Sequence, residues 1–169
     1  MKLTLPLRET VISTMDPICS IPVSAVAGGN TWPTANKAFF VPFRITKSLV
    51  IINMFWYNAS VVNGYVDVGV YSLDGTRLVS SGSTAQVGAE SLQSVAVVPT
   101  NIGPGVFYAA MVCDGVIGRY LRIGGSVATN RMLGIVQQTS AFPLPAVAVF
   151  AQFSAGVIPY VCMTTRSVI

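Results

Sequence analysis

Hydrophobic and polar positions alternate along several short segments of the chain. In residues 65–71, valine occupies three alternate positions, and Tyr65, Asp67 and Tyr71 stand between or beside them. A period of two residues is typical of a β-strand whose two faces meet different surroundings. We therefore expect the valines to face a core, and Tyr65, Asp67 and Tyr71 to face outwards.

Two further segments predict strands of different kinds. Residues 39–45 alternate in the same way, and Pro42 within them indicates an edge strand or a bulge, because proline has no backbone donor. Residues 49–57 are apolar on both faces, which is typical of a central strand that is covered on each side.

Turn signals separate these segments from others of similar length. Asp74-Gly75, between two candidate strands, is typical of a β-hairpin. No stretch shows a helical period for longer than about two turns. The pattern predicts an all-β fold, in which residues 34–169 form an antiparallel β-sandwich with jelly-roll or Greek-key connections.

The first 33 residues differ from the rest because prolines recur in an extended, apolar segment. Such a segment cannot form its own core, yet it is too apolar for disorder. We expect residues 1–33 to form an N-terminal arm laid along a sheet edge of this chain or of a neighbour. The side chains of this arm and of the C-terminal tail that we expect at an assembly interface are Leu3, Leu5, Leu7, Val11, Ile12, Ile18, Ile21, Val23, Val168 and Ile169.

Composition argues against catalysis. The chain has no histidine and only six carboxylates, and charged residues make up 9% of it, against roughly 25% in ordinary domains. Asp74 and Asp114 both precede glycine in turns, where the carboxylate commonly bonds the local backbone. We therefore expect a protein that is not an enzyme and that needs no cofactor or metal.

Charge and hydropathy also limit the classes of partner that we expect. The ten basic residues are scattered, whereas nucleic-acid binding shows a clustered basic face, so we expect no nucleic acid. The apolar runs are shorter than the roughly 20 residues of a spanning helix, and we expect no secretion signal, because Pro6, Arg8 and Glu9 interrupt the first apolar stretch. Synthesis in the cytoplasm, without a membrane span, is expected. Low charge indicates apolar surface covered by other subunits, as in a homo-oligomer.

Three cysteines are spaced far apart, at positions 19, 113 and 162. Metal sites need closely spaced pairs, which the chain lacks. We expect three reduced, buried thiols, because free cysteine is among the most buried residue types. The alternative is a single disulfide that leaves one thiol over.

Aromatic residues beside polar groups are candidates for contact with a glycan or a protein partner. Trp32 lies next to Pro33 in a loop, and Tyr65 follows a turn. The candidate contact residues are Trp32, Tyr65, Asp67 and Tyr71.

Residues 64–114 contain a regular succession of predicted strands and turns. It contains GYVDVGVY at 64–71, DGTRLV at 74–79 and GPGVFYAA at 103–110. This block resembles the jelly-roll-like β-sandwich modules of tailed-bacteriophage virion proteins, which occur in tail, fibre and head-decoration components.

The resemblance implies a non-enzymatic accessory component of the virion. Its partners would be other capsid or tail subunits, and its place either capsid decoration or the tail and its adaptor. The alternative is a glycan-binding adhesin or tail-fibre module that recognises the host cell surface. The matching positions are turn and core positions, so no functional residue is implied by the resemblance.

Overall fold

A computed structural model describes residues 16–20 and 27–167 of the chain. In these residues, strands dominate and one short helix occurs. In chain order, the elements are β1 (Asp16–Cys19), β2 (Ala27–Thr31), β3 (Ala38–Ile45), β4 (Leu49–Asn58), β5 (Tyr65–Ser72), β6 (Arg77–Ser80), β7 (Thr84–Ala85), β8 (Ser91–Ile102), β9 (Gly105–Cys113), β10 (Arg119–Gly124), α1 (Val127–Met132), β11 (Val136–Gln138), β12 (Ala151–Gln152), β13 (Val157–Pro159) and β14 (Val161–Ser167).

Two antiparallel sheets form a sandwich, which confirms the predicted fold class. Sheet A has the order β1-β14-β4-β10-β13, with β2 paired to β10 and β8 paired to β4. Sheet B has the order β12-β11-β3-β9-β5-β6, with β7 also paired to β5. The predicted hairpin at Asp74-Gly75 joins β5 to β6.

Apolar side chains from both sheets form the core between them. The alternation of β5 is confirmed, because its valines lie in this core. Trp56 and Met54 of β4 and Phe39 of β3 are fully buried. Each such side chain contributes about 1.5–3 kcal/mol relative to an exposed one. The ring of Phe39 lies 4.9 Å from that of Phe153, so the aromatic packing extends beyond β12.

The central position expected for β4 is confirmed, whereas β3, expected at an edge or with a bulge at Pro42, lies between β11 and β9. Strand β4 is central, because β14 pairs along one of its edges and β8 along the other. Strand β3 pairs with β9 from Phe39 to Ile45, but with β11 only from Ala38 to Phe40. Pro42 therefore lies where β3 has passed the end of β11, and its missing donor costs no hydrogen bond to that strand.

The described parts of residues 1–33 pair with sheet A of the same chain. Strand β1 lies antiparallel to β14 at one edge of the sheet, and β2 lies antiparallel to β10. Helix α1 has six residues, and no helix in the described part of the chain is long and apolar enough to cross a membrane.

A disulfide corrects the expectation of three reduced cysteines. Cys19 of β1 lies directly opposite Cys162 of β14, with 4.0 Å between their Cα atoms, and the two are bonded. The pair is 143 residues apart, so only the strand register brings it together. Cys113 is free and buried, and burial raises the pKa of its thiol. The alternative of one disulfide and one leftover thiol is therefore correct.

Removing the disulfide should destabilise the protein. We expect the double variant Cys19→Ser/Cys162→Ser to lose about 2–5 kcal/mol of unfolding free energy, because the crosslink restricts a long loop of the unfolded chain. Urea denaturation measures this loss. A reductant should lower the stability of the wild type and leave the double variant unchanged. A wild type insensitive to reductant would contradict the pairing.

Candidate interaction surface

The outer face of sheet B is covered by the chain itself. Residues 139–150, which connect β11 to β12, fold over it and add Ala141, Leu144 and Ala148 to a second apolar cluster around Phe40 and Tyr71. The hairpin between β5 and β6 holds this connection, because the Ala148 N–H donates to the Gly75 carbonyl at 2.8 Å.

This cover corrects the expectation that Asp67 and Tyr71 face solvent. Both point away from the central core, as the alternation predicts, but both are fully buried beneath residues 139–150. Asp67 Oδ2 accepts the Leu144 N–H at 3.0 Å, and the Tyr71 hydroxyl donates to the Pro145 carbonyl at 2.6 Å. These contacts fasten the connection to the sheet.

Burial also shapes the electrostatics beneath the cover. Desolvation raises the pKa of Asp67, although hydrogen bonds from Leu144 and Ser81 and the charge of Arg77 oppose it. Desolvation likewise raises the pKa of Tyr71. The Arg77 guanidinium donates to the Leu144 carbonyl. Asp67 and Arg77 therefore hold both the N–H and the carbonyl of Leu144.

The structure does not bring the candidate contact residues together on a surface. Trp32, expected in an exposed loop, is only 3% exposed, and its Nε1 donates to the Lys37 carbonyl at 2.9 Å. Its ring packs 4.8 Å from that of Phe39, because β2 brings it into the core. Tyr65, at 48% exposure, is the member of the set that faces solvent.

Of the ten expected assembly residues, one lies in the described part of the chain. Ile18 is half-buried and packs against the core cluster. The other nine, namely Leu3, Leu5, Leu7, Val11, Ile12, Ile21, Val23, Val168 and Ile169, lie outside the described residues.

A network of three buried amides organises one end of the sandwich. Asn58, the last residue of β4, accepts the Trp56 Nε1–H at 2.8 Å and a Gln86 Nε2–H at 3.0 Å. Its own amide donates to Gln93 Oε1 at 2.9 Å and to the Val87 carbonyl at 2.6 Å. A buried network whose members are all satisfied stabilises one arrangement of the groups it joins.

The same network reaches the neighbouring loops. Gln86 Oε1 accepts the Asn63 N–H at 2.6 Å, and its amide donates to the Arg119 carbonyl at 3.0 Å. Beside them, the Asp114 carboxylate accepts the Tyr65 N–H at 2.8 Å. The connections β4–β5, β7–β8 and β9–β10 are therefore held to one another.

These joined connections, with the first residue of β5, carry exposed apolar side chains, which we call the loop-end patch. Its members are 36–61% exposed and are Val61, Val62, Tyr65, Val87, Val116 and Ile117. Loops held by a rigid scaffold commonly carry binding residues, and exposed apolar patches commonly mark interaction sites. Apart from Tyr65, the sequence pattern does not predict this surface, because isolated valines and amides have no diagnostic spacing.

Neither similarity to known proteins nor a cluster of metal ligands identifies a function for the described residues. No family model, no curated protein and no solved structure matches the chain. Among residues 16–20 and 27–167, no group of three or more His, Cys, Asp or Glu side chains could hold a metal ion.

Asp67→Asn should flatten the pH dependence of stability. Because the native pKa of Asp67 is raised, the folded state holds its proton more tightly than the unfolded state does. Its contribution to the unfolding free energy therefore falls as the pH rises from about 4 through the native pKa. Urea titrations between pH 4 and 8 measure this slope.

Asp74→Asn is the matched control for that experiment. Hydrogen bonds from Ser72 and Thr76 lower the pKa of this exposed carboxyl, so its contribution is lost as the pH falls, with the opposite sign. An Asp67→Asn variant that keeps the wild-type slope would contradict the assignment.

Gln86→Leu should destabilise the amide network. The change leaves the Asn63 N–H without its acceptor and removes one of the two hydrogen bonds that the Arg119 carbonyl accepts, at a cost of about 1–3 kcal/mol in unfolding free energy. Gln152→Leu, at an exposed amide of β12, should change stability by less than about 0.5 kcal/mol. Equal losses in the two variants would show that the network has no special role.

Proposed function

We propose that the protein is a non-enzymatic structural component of a bacteriophage virion that acts through contacts with neighbouring subunits. The observation that carries this proposal is the loop-end patch, in which apolar side chains stand exposed on loops fixed by buried amides. A surface that is already ordered loses less conformational freedom on binding.

Composition supports the same function. Charged residues are depleted in interface cores, and they make up 9% of this chain. The virion assignment draws on the resemblance of residues 64–114 to virion modules. Capsid decoration and a place in the tail or its adaptor both fit this function.

Burial of the candidate aromatic residues favours a structural role over glycan binding. An adhesin needs an exposed aromatic platform beside polar groups, and Trp32, Asp67 and Tyr71 are buried. Tyr65 belongs instead to a mainly aliphatic patch, which suits contact with protein.

Copy number in purified particles tests the proposal. Quantitative mass spectrometry against the major capsid protein should find hundreds of copies for a decoration role, or a small multiple of three or six for a tail role. Particles without the chain would overturn the proposal.

Two matched variants test the loop-end patch in the same assay. Ile117→Asp places a charge in the patch and should lower incorporation about tenfold or more, the effect of losing one well-buried contact. Val149→Asp changes a valine in the 139–150 connection that is even more exposed, at 73% against 61% for Ile117, and should leave incorporation unchanged. Equal incorporation of both variants would place the contact surface elsewhere.

A further inference from the structure

Strand β8 presents an open backbone edge. It pairs with β4 along one side, and no described residue pairs with its other side. Such an edge offers unpaired N–H and C=O groups to an incoming strand, and proteins usually protect it with charged side chains. Ser91–Ile102 contains no charged residue, and the two features that interrupt it, Pro99 and a shift of register against β4 between Ala96 and Thr100, both lie in its last part. Residues 91–97 therefore form an unprotected acceptor.

The core is also open beside this edge. Strand β6, at the edge of sheet B, is the neighbour of β8 across the sandwich. Leu78 of β6 and Val95 and Val97 of β8 pack against the core yet remain only half-buried. A hollow of about 310 Å³ lies between the two strands, beside Leu78 and Thr100. We call the apolar side chains of Leu78, Val95 and Val97 the seam.

The beginning of the chain has the pattern that fits the seam. Leu3, Leu5 and Leu7 alternate with polar residues and Pro6, so in a strand all three leucines would share one face. Backbone N–H and C=O groups also alternate between the two edges of a strand. One of the two possible strand directions places the leucine side chains in the seam and their backbone groups towards β8. In that direction, the backbone of Pro6 faces the solvent. Its missing N–H then costs no hydrogen bond.

Sheet topology indicates which copy donates the strand. Strand β1, which these residues precede, lies at the opposite edge of sheet A, three strand spacings or about 14 Å from β8. A second copy placed edge to edge brings its β1 next to β8 without crossing the sheet. Contact between two different edges is head-to-tail, so it continues into a ring or a chain of copies.

We infer that residues 3–7 of a second copy add to β8 as an extra strand and fill the seam with their leucines. The inference rests on the proposed function, since it names the partner and the edge for one subunit contact. Backbone pairing supplies affinity, and the alternate leucines supply specificity.

Light scattering after size exclusion tests the added strand, using the full chain. The wild type should have a mass above that of one chain, 17.8 kDa. The donor variant Leu3→Ser/Leu5→Ser/Leu7→Ser should fall to one chain. So should the acceptor variant Val97→Lys, which places a charge on the half-buried seam; a cooperative urea transition of this variant shows that it is folded. Thr4→Ser/Pro6→Ser, on the other face of the added strand, should keep the wild-type mass.

Mixing the two defective variants separates exchange between copies from pairing within one chain. The donor variant keeps an intact β8, and the acceptor variant keeps intact leucines, so an equal mixture should form a complex of two chains and no larger one. A monomeric wild type, an unchanged mass of the donor variant, or a mixture that stays monomeric would each overturn the inference.

Particle copy number distinguishes failure of this inference from failure of the proposed function. A chain that is monomeric in solution but present in particles overturns the added strand alone. A chain that exchanges strands as described but is absent from particles overturns the virion function alone.

Discussion

Pairing along both edges of β4 is the interaction on which sheet A depends. Strand β14 pairs with one edge and β8 with the other, and Asn58 at its end pairs with Tyr120 of β10. These partners come from distant parts of the chain, so their pairing carries a large entropy of loop closure. Burial of Trp56, Met54 and Ile51 on the inner face of β4 offsets that cost.

Amide side chains connect the elements that surround this core. Asn58, Gln86 and Gln93 join three loops, and Gln137 of β11 accepts hydrogen bonds from the backbone and hydroxyl of Ser154. Buried amides need only hydrogen-bond partners, whereas buried ions carry a further desolvation cost. A chain with few charges can therefore be rigid inside and still leave its surface apolar.

Period-two patterns made the strands predictable, but they do not report what covers a face. The valines of β5 and the central place of β4 followed from alternation and from doubly apolar runs. The burial of Asp67 could not be predicted from the sequence pattern, because the residues that cover it, 139–150, form an irregular, proline-containing connection with no period of their own. The network at Asn58 and the pairing of Cys19 with Cys162 depend on register, which one strand's sequence does not specify.

Among the described residues, only short strands of sheet B lie beside β8. Strand β6 has 4 residues and β7 has 2, whereas β8 has 12. The inward valines of β8 consequently stay half-buried, although their neighbour Met54 is fully buried. Residues 3–7, extended, would span about 17 Å, enough to cover residues 93–97. Without charge on β8, such cover would also protect the edge from unspecific pairing, so the proposed contact would serve assembly and solubility together.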